Sequence, residues 1–127
     1  MPLTQIYLRS GKPFSYRRAI ADGIQNALTD AISVPAEERF QIIVELDREG
    51  LIFDPEFRNV SRSQDFMIIL ITLKSGRPDS LKQLLYQAIV RELALNPGVR
   101  TEDVMIVLRE NGSADWSFGN GVAQLLS

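Results

Sequence analysis

The first two residues of the chain, Met1 and Pro2, offer one of its few possible sources of acid-base chemistry. The sequence contains no cysteine and no histidine, which excludes a thiolate nucleophile, a Ser-His dyad, a disulfide and an ordinary zinc site. Carboxylates, lysines, tyrosines, hydroxyl groups and the terminal amine remain. Removal of Met1 would turn the Pro2 nitrogen into a secondary amine, whereas a retained Met1 would leave it an amide without basicity.

A terminal amine can act as a base at neutral pH. An ordinary α-amino group titrates near about 7.7–8.0, and an apolar pocket or a nearby cation disfavours its charged form. The most efficient base is one whose titration lies close to the working pH. The alternative for Pro2 is structural, because proline is common at the first residue of a strand.

Length and composition limit the classes of protein to consider. We predict one domain over residues 1–127, since this length is typical of a single domain. No apolar run is long enough to span a membrane, and the start lacks a secretory signal, so we expect a cytoplasmic protein without membrane contact. The net charge of −2 argues against a nucleic-acid partner, because such binding requires a clustered basic surface.

The chain is a tandem repeat. Residues 6–13 align without a gap on residues 71–78 at an offset of 65, and the match continues to Glu37-Glu38 over Glu102-Asp103. Each copy begins with a short apolar run, at 3–8 and 66–73, followed by apolar residues at helical spacing and a second run at 39–46 and 103–108. We therefore predict two βαβ units, at about 2–46 and 66–110.

The repeat predicts an α/β (α+β) fold. Two βαβ units side by side give a four-stranded sheet with two helices on one face, and each unit pairs its strands in parallel. No helix remains to cover the other face, so we expect that face to pack on another subunit. Residues 48–64 are interpreted as the connection, and the tail 111–127 as glycine-rich turns with a possible short strand.

Several motifs together resemble the tautomerase superfamily, and within it the malonate semialdehyde decarboxylase-like branch. These motifs are the Met-Pro start, the duplicated βαβ unit, Val34-Pro35 ahead of 38–41, Gly76-Arg77 and the run Asp115-Trp116-Ser117-Phe118-Gly119. The resemblance covers essentially the whole chain. It implies a homotrimer, no cofactor and no metal, with Pro2 acting either as a base or as a cation that polarises a carbonyl.

The resemblance also implies roles for other residues. Glu38 would be the acid or base near the substrate, at a position where the decarboxylases have an aspartate. Arg77 would hold a substrate carboxylate, with Ser75 at about the place of a second arginine. Trp116 would form part of an apolar wall that lowers the proton affinity of the proline, and Phe118 would contact the substrate with it.

Structural interpretations compete with each of these roles. Glu38 lies in an acidic loop that both copies share, Arg77 aligns with Lys12, and Trp116 is of a type that usually belongs to the core. Arg39 is interpreted as an ion-pair partner only. Arg58 and Arg62, delivered from a neighbouring subunit, are the remaining candidates for a second carboxylate anchor.

Because the second arginine is missing, we favour a tautomerase that moves a proton between enol and keto forms of a small 2-oxo or 2-hydroxy unsaturated acid. The first alternative is a decarboxylase or hydratase of a small 3-oxo acid such as malonate semialdehyde, with Pro2 as a cation. The second is a noncatalytic trimeric binding protein.

Overall fold

The computed structural model of the protein describes residues 1–126. Its main elements follow the order β1 (Leu3–Arg9), α1 (Phe14–Ile32), β2 (Phe40–Leu46), β3 (Met67–Lys74), α2 (Asp79–Leu95) and β4 (Val104–Asn111). This βαββαβ order confirms the prediction of two βαβ units. The one clear boundary difference is β4, which extends to Asn111 because its last residues pair with the end of β3.

The four strands form one mixed sheet in the order β2-β1-β3-β4. β1 pairs in parallel with β2, β3 pairs in parallel with β4, and the two units meet where β1 and β3 run antiparallel. In that central pair Gln5 is paired with Leu70. The offset of 65 residues also makes these two positions equivalent in the repeat. A pseudo-twofold axis therefore passes through the Gln5–Leu70 pair.

Both helices lie on one face of the sheet, as predicted. Alternate residues of β1 and β3, such as Ile6 and Ile69, are buried against apolar residues of both helices, such as Ile24 and Ile89. Burial of each such side chain stabilises the fold by about 1.5–3 kcal/mol. The helices approach closely at Gly23, where a Cβ atom would lie 3.0 Å from the Leu93 side chain.

Equivalent backbone hydrogen bonds close the strand-to-helix turn in each unit. The Ser10 amide donates to the Leu46 carbonyl at 2.8 Å, and the equivalent Ser75 amide donates to Asn111 at 2.8 Å. Glycine follows in both copies with a positive φ, as the turn requires. Each helix also forms one ion pair with the strand that follows it, Arg17–Glu45 at 2.7 Å and Lys82–Glu110 at 2.9 Å.

The opposite face of the sheet is open and largely apolar. Phe40, Ile42 and Met105 are 54%, 46% and 43% exposed there. The strand registers place the following residues on this face: Leu3, Gln5, Tyr7, Phe40, Ile42, Val44, Ile68, Leu70, Met105 and Val107. A contiguous apolar surface of this kind is typical of a face that packs against another protein chain.

The connection and the tail consist mainly of irregular structure. Between β2 and β3 there is a single short 3₁₀ turn at Phe57–Asn59. Within the described part of the tail, 112–126, there are two more, Ser113–Asp115 and Gln124–Leu126, so the short strand considered for the tail is not found there. Neither α1 nor α2 is long and apolar enough to cross a membrane, and residues 1–126 contain no other long helix.

Candidate active site

The sheet topology gathers the predicted site residues at one edge. Because β1 and β2 are parallel and β3 runs opposite to β1, the starts of β1 and β2 lie at the edge where β3 and β4 end. Pro2 and Glu38 come just before β1 and β2, whereas Arg77 and Trp116 follow β3 and β4. Residues far apart in the sequence thereby share one edge.

The amino terminus and Glu38 are in direct contact at this edge. The Met1 amine lies 2.6 Å from Glu38 Oε2 and forms both a hydrogen bond and an ion pair with it. The Glu38 side chain is 46% exposed, while Pro2 is buried beneath Met1. An amine and a carboxylate, the two groups needed for proton transfer, are thus placed side by side.

Two cavities open beside this pair and share Phe40 and Phe118. The first, about 230 Å³, is lined by Met1, Glu38, Phe40, Phe118 and Leu125. The second, about 420 Å³, is bounded by Trp116, Asn111 and Thr72 as well as the two phenylalanines. Among residues 1–126, Glu38 is the only ionisable side chain that lines the first cavity, and the walls around it are apolar.

Three stacked aromatic rings form the wall between the cavities. The Phe40 and Phe118 centroids are 6.4 Å apart, and the Phe118 and Trp116 centroids are 5.7 Å apart. The Trp116 indole donates to Asn111 Oδ1 at 2.7 Å, and the Phe118 amide donates to Gln124 Oε1 at 2.9 Å. Trp116 is half-buried and lies outside the core cluster, so the core interpretation of this residue is wrong.

Arg77 follows the end of β3 at the same edge, and its guanidinium group binds the backbone of its own loop. Its Nη1 donates to the Lys74 carbonyl at 2.9 Å, and it lines neither cavity. Within one chain the structure therefore brings Glu38, Trp116 and Phe118 to the Met1-Pro2 end but leaves Arg77 at its margin.

The other arginines considered from the sequence have structural contacts. Arg39 donates to Gln41 at 2.7 Å and to Asp22 at 2.6 Å. The hydrogen bond from Arg39 holds the pKa of the Asp22 carboxyl below its usual range. Arg62 donates to three carbonyls of the connection, and Arg58 sits in a turn of the same segment. The ion pair expected of Arg39 is present.

Comparison with known proteins identifies the family. Residues 38–119 match the family described as "Tautomerase enzyme". A probable tautomerase of Bacillus subtilis strain 168, YusQ, is 36% identical over 126 residues, 99% of each chain. The chain belongs to the tautomerase family. The resemblance inferred from the Met-Pro start and the tail run is thereby confirmed.

The solved structures similar to this chain include two malonate semialdehyde decarboxylases. The FG41 enzyme, inhibited by 3-bromopropiolate, is 38% identical with a TM-score of 0.92 over 98% of this chain and 94% of its own. The second, solved as wild type, proline-to-alanine mutant and inactivated enzyme, is 27% identical with a TM-score of 0.91 over 98% and 95%. A fused 4-OT, a symmetric trimer, shares the fold at 22% identity and a TM-score of 0.79 over 98% of both chains.

One buried residue near this site was not singled out from the sequence. Gln25, on the inner face of α1, is 5% exposed and donates to the carbonyls of Glu38 at 3.1 Å and Ala36 at 3.4 Å. It fixes the backbone of the loop that presents the Glu38 carboxylate. The available signal was a glutamine next to Ile24 on an otherwise apolar helix face.

Residues 1–126 contain no cluster of three or more acidic side chains that could bind a metal ion. At this edge the described residues offer an amine, the carboxylates of Glu38 and Asp115, and apolar walls. This set of groups suits the transfer of a proton on a small organic substrate.

Proposed function

We propose that the protein is a cofactor-independent tautomerase in which the secondary amine of Pro2, exposed by removal of Met1, moves a proton on a small 2-oxo or 2-hydroxy unsaturated acid. The observation that carries this proposal is the contact between the Met1 amine and Glu38, which places the Glu38 carboxylate and an apolar cavity beside the residue that precedes Pro2. Loss of Met1 removes one wall residue of that cavity.

The proposed reaction has two proton transfers. The free Pro2 amine accepts the proton of the enol hydroxyl, the carbonyl forms, and the carbon that loses the double bond accepts a proton from the resulting ammonium group. Phe40 and Phe118 line the cavity beside Glu38, and the Glu38 carboxylate would accept a hydrogen bond from the ammonium group that the first transfer forms.

Trp116 and Phe118 are proposed to contact the apolar part of the substrate, and Arg77 its carboxylate. The stacked rings support the first role, since they line the cavities. Arg77 would need to turn from the Lys74 carbonyl, and a guanidinium held only by one carbonyl is free to do so when a carboxylate offers two stronger hydrogen bonds.

We also propose that three copies of the chain assemble through the open sheet face. Ten residues there, mostly apolar, are exposed or only partly buried within one chain, and a fused 4-OT of the same fold forms a symmetric trimer. The start of β2 belongs to this face and also lines the cavities, so assembly would enclose the site. A cytoplasmic location and the lack of a nucleic-acid partner stay predictions from the sequence.

Decarboxylation or hydration of a small 3-oxo acid is the second candidate. The observation in its favour is the 38% identity to a malonate semialdehyde decarboxylase. In that reaction Pro2 would stay protonated and polarise the carbonyl, and Glu38 would hold it in that state. Ser75, exposed where the resemblance expects a second arginine, counts against this candidate.

The test is the ketonisation of phenylenolpyruvate, followed by ultraviolet absorbance, with Met1 removal verified by intact mass. Pro2→Ala should lower kcat/KM about 100- to 10,000-fold, the usual contribution of a general base. Pro55→Ala, in the exposed connection, is the matched control and should retain the wild-type rate.

Equal rates for protein with and without Met1 would overturn the role of the Pro2 amine. No rate above buffer, followed by carbon dioxide release from malonate semialdehyde, would replace the tautomerase by the decarboxylase. If neither compound reacts and a carbonyl-directed reagent fails to form an imine with Pro2, the protein is a noncatalytic binder.

A further inference from the structure

A third cavity, of about 340 Å³, lies at the opposite edge of the sheet, where β1 ends and β3 begins. Its polar lining includes Arg9, Lys12, Tyr16, Arg48, Gln64 and Asp65. The offset of 65 residues relates this cavity to the candidate active site, because Ser10 and Lys12 are the equivalents of Ser75 and Arg77. It is the pseudosymmetric counterpart of that site.

Two guanidinium groups converge in this cavity on one neutral acceptor. Arg9 Nη1 and Arg48 Nη2 donate to the same oxygen, Gln64 Oε1, at 2.6 Å and 3.0 Å. Within residues 1–126 neither arginine forms an ion pair. Arg9 Nε is also buried without a hydrogen-bond partner among these residues. Two like charges side by side with an unused donor form a site that an anion would stabilise.

The carboxylates of the same cavity are already engaged. Asp47 accepts hydrogen bonds from the amides of Glu49 and Gly50 in a turn, and Asp65 pairs with Lys12 at 3.1 Å. Neither carboxylate forms an ion pair with Arg9 or Arg48, and the cavity has three cationic side chains against two carboxylates. The local excess of charge is therefore positive, although the whole chain has a net charge of −2.

The arginine at the base of the cavity is held in place before any ligand arrives. Arg9 Nη2 donates to the Leu51 carbonyl at 2.9 Å, and its guanidinium group lies 5.1 Å from the centre of the Phe53 ring. Burial, with Asp65 and Asp103 nearby, raises the pKa of Tyr16, so its hydroxyl remains a hydrogen-bond donor at neutral pH. Such a prearranged set of donors loses little entropy on binding.

We propose that this cavity binds a small oxyanion, a carboxylate or a phosphate, through Arg9 and Arg48. The guanidinium groups would exchange the shared Gln64 oxygen for charge-assisted, bidentate hydrogen bonds to the anion. No proton transfer is expected here, because the equivalent of Pro2 is Met67, whose nitrogen is a peptide amide inside β3.

The proposal is tested by titrating malonate and inorganic phosphate, separately and at low ionic strength, into the ¹⁵N-labelled full chain. Saturable shifts are expected at the amides of Ser10, Lys12 and Gln64. Arg48→Gln should weaken the affinity at least about tenfold, the usual effect of losing a hydrogen bond to a charged group. Arg91→Gln, which removes the same charge from an exposed position on α2, is the matched control and should bind like the wild type.

Arg48→Lys keeps the charge without the planar fork and should bind with intermediate affinity. The anion that saturates at the lower concentration identifies the source of the ligand, and either supports the site. Absence of saturable shifts at these three amides with both anions, or unchanged affinity in Arg48→Gln, would overturn it. Pro2→Ala should leave these shifts intact, so this test is independent of the proposed tautomerase activity.

Discussion

Two equivalent carboxylates of the repeat have opposite surroundings. Asp103, before β4, is fully buried, accepts hydrogen bonds from the Ser63 amide at 2.7 Å and hydroxyl at 2.6 Å, and lies 3.6 Å from Arg100. Glu38, before β2, is half-exposed, and its carboxylate contacts the Met1 amine. The same position in the same fold is structural in one unit and available for chemistry in the other.

The difference follows from how the chain reaches each central strand. The second unit is entered through the connection, so Asp103 binds the chain just ahead of β3 and holds it in register. The first unit has the described chain terminus there, and Glu38 meets an amine instead of a peptide group. A repeated fold therefore does not imply a repeated site.

The largest expected effect separates the two carboxylates by activity. Glu38→Ala should lower kcat/KM for phenylenolpyruvate about 100-fold, because the amine loses its acidic partner. The free energy of unfolding should change by less than about 1 kcal/mol, since the ion pair is half-exposed. Glu37→Ala, at the exposed neighbour, should match the wild type in both measurements. Full activity in Glu38→Ala would contradict a catalytic role for this carboxylate and remove the functional difference from Asp103.

Asp103→Ala should show the opposite pattern. It leaves the Ser63 amide without an acceptor, so we expect a loss of about 2–3 kcal/mol in the free energy of unfolding, measured by urea denaturation. The remaining folded protein should retain kcat within about twofold. Ser63→Ala, which removes only the hydroxyl contact, should cost about 1 kcal/mol. A large loss of kcat in folded Asp103→Ala would contradict the division between the units.

A smaller effect is expected at the residue that holds the Glu38 loop. The equivalent of Gln25 in the second unit is Val90. Gln25→Val therefore gives the first unit the residue that the second unit has at this position. Loss of the hydrogen bonds to Glu38 and Ala36 should cost about 1 kcal/mol and lower kcat a few-fold with KM nearly unchanged. A variant that loses stability but keeps the wild-type kcat and pH profile would reduce Gln25 to a packing role.

The smallest effect concerns an ion pair that only the first unit has. Asp22 and Arg39 are replaced by Gln87 and Val104 in the second. Because the Arg39 hydrogen bond lowers the pKa of folded Asp22, its stabilisation is present above the unfolded pKa of about 3.9 and is lost as the pH falls through the folded value. Asp22→Asn should cost below about 1 kcal/mol at pH 7 and nothing near pH 2. An equal loss at both pH values, in urea denaturation, would contradict this.

Most of the fold could be predicted because each element occurs twice in the sequence. Ser-Gly follows the strand that precedes each helix, and a proline, Pro13 or Pro78, is the N-cap residue of that helix. The tail was harder to predict, because its form depends on contacts with distant residues, such as Phe118 with Phe40. No local pattern in 112–126 records those partners.

The candidate site was predictable by residue type but not by geometry. The resemblance indicated Glu38, Trp116 and Phe118. All three line cavities at the sheet edge where Met1 and Pro2 lie. The orientation of Arg77 toward the Lys74 carbonyl has no signal in the sequence. Gln25 was missed because helical periodicity only marks it as a polar residue on an apolar face, and its acceptors are 11 and 13 residues away.

The axis through Gln5 and Leu70 relates two halves that are covalently joined. In a dimer of separate identical chains, every substitution appears at both edges, so a change that benefits one site alters the other equally. A single chain is free of that constraint and can tune each edge independently. Because the connection between β2 and β3 joins the two units in one chain, their side chains differ while their backbones keep the pseudo-twofold relation.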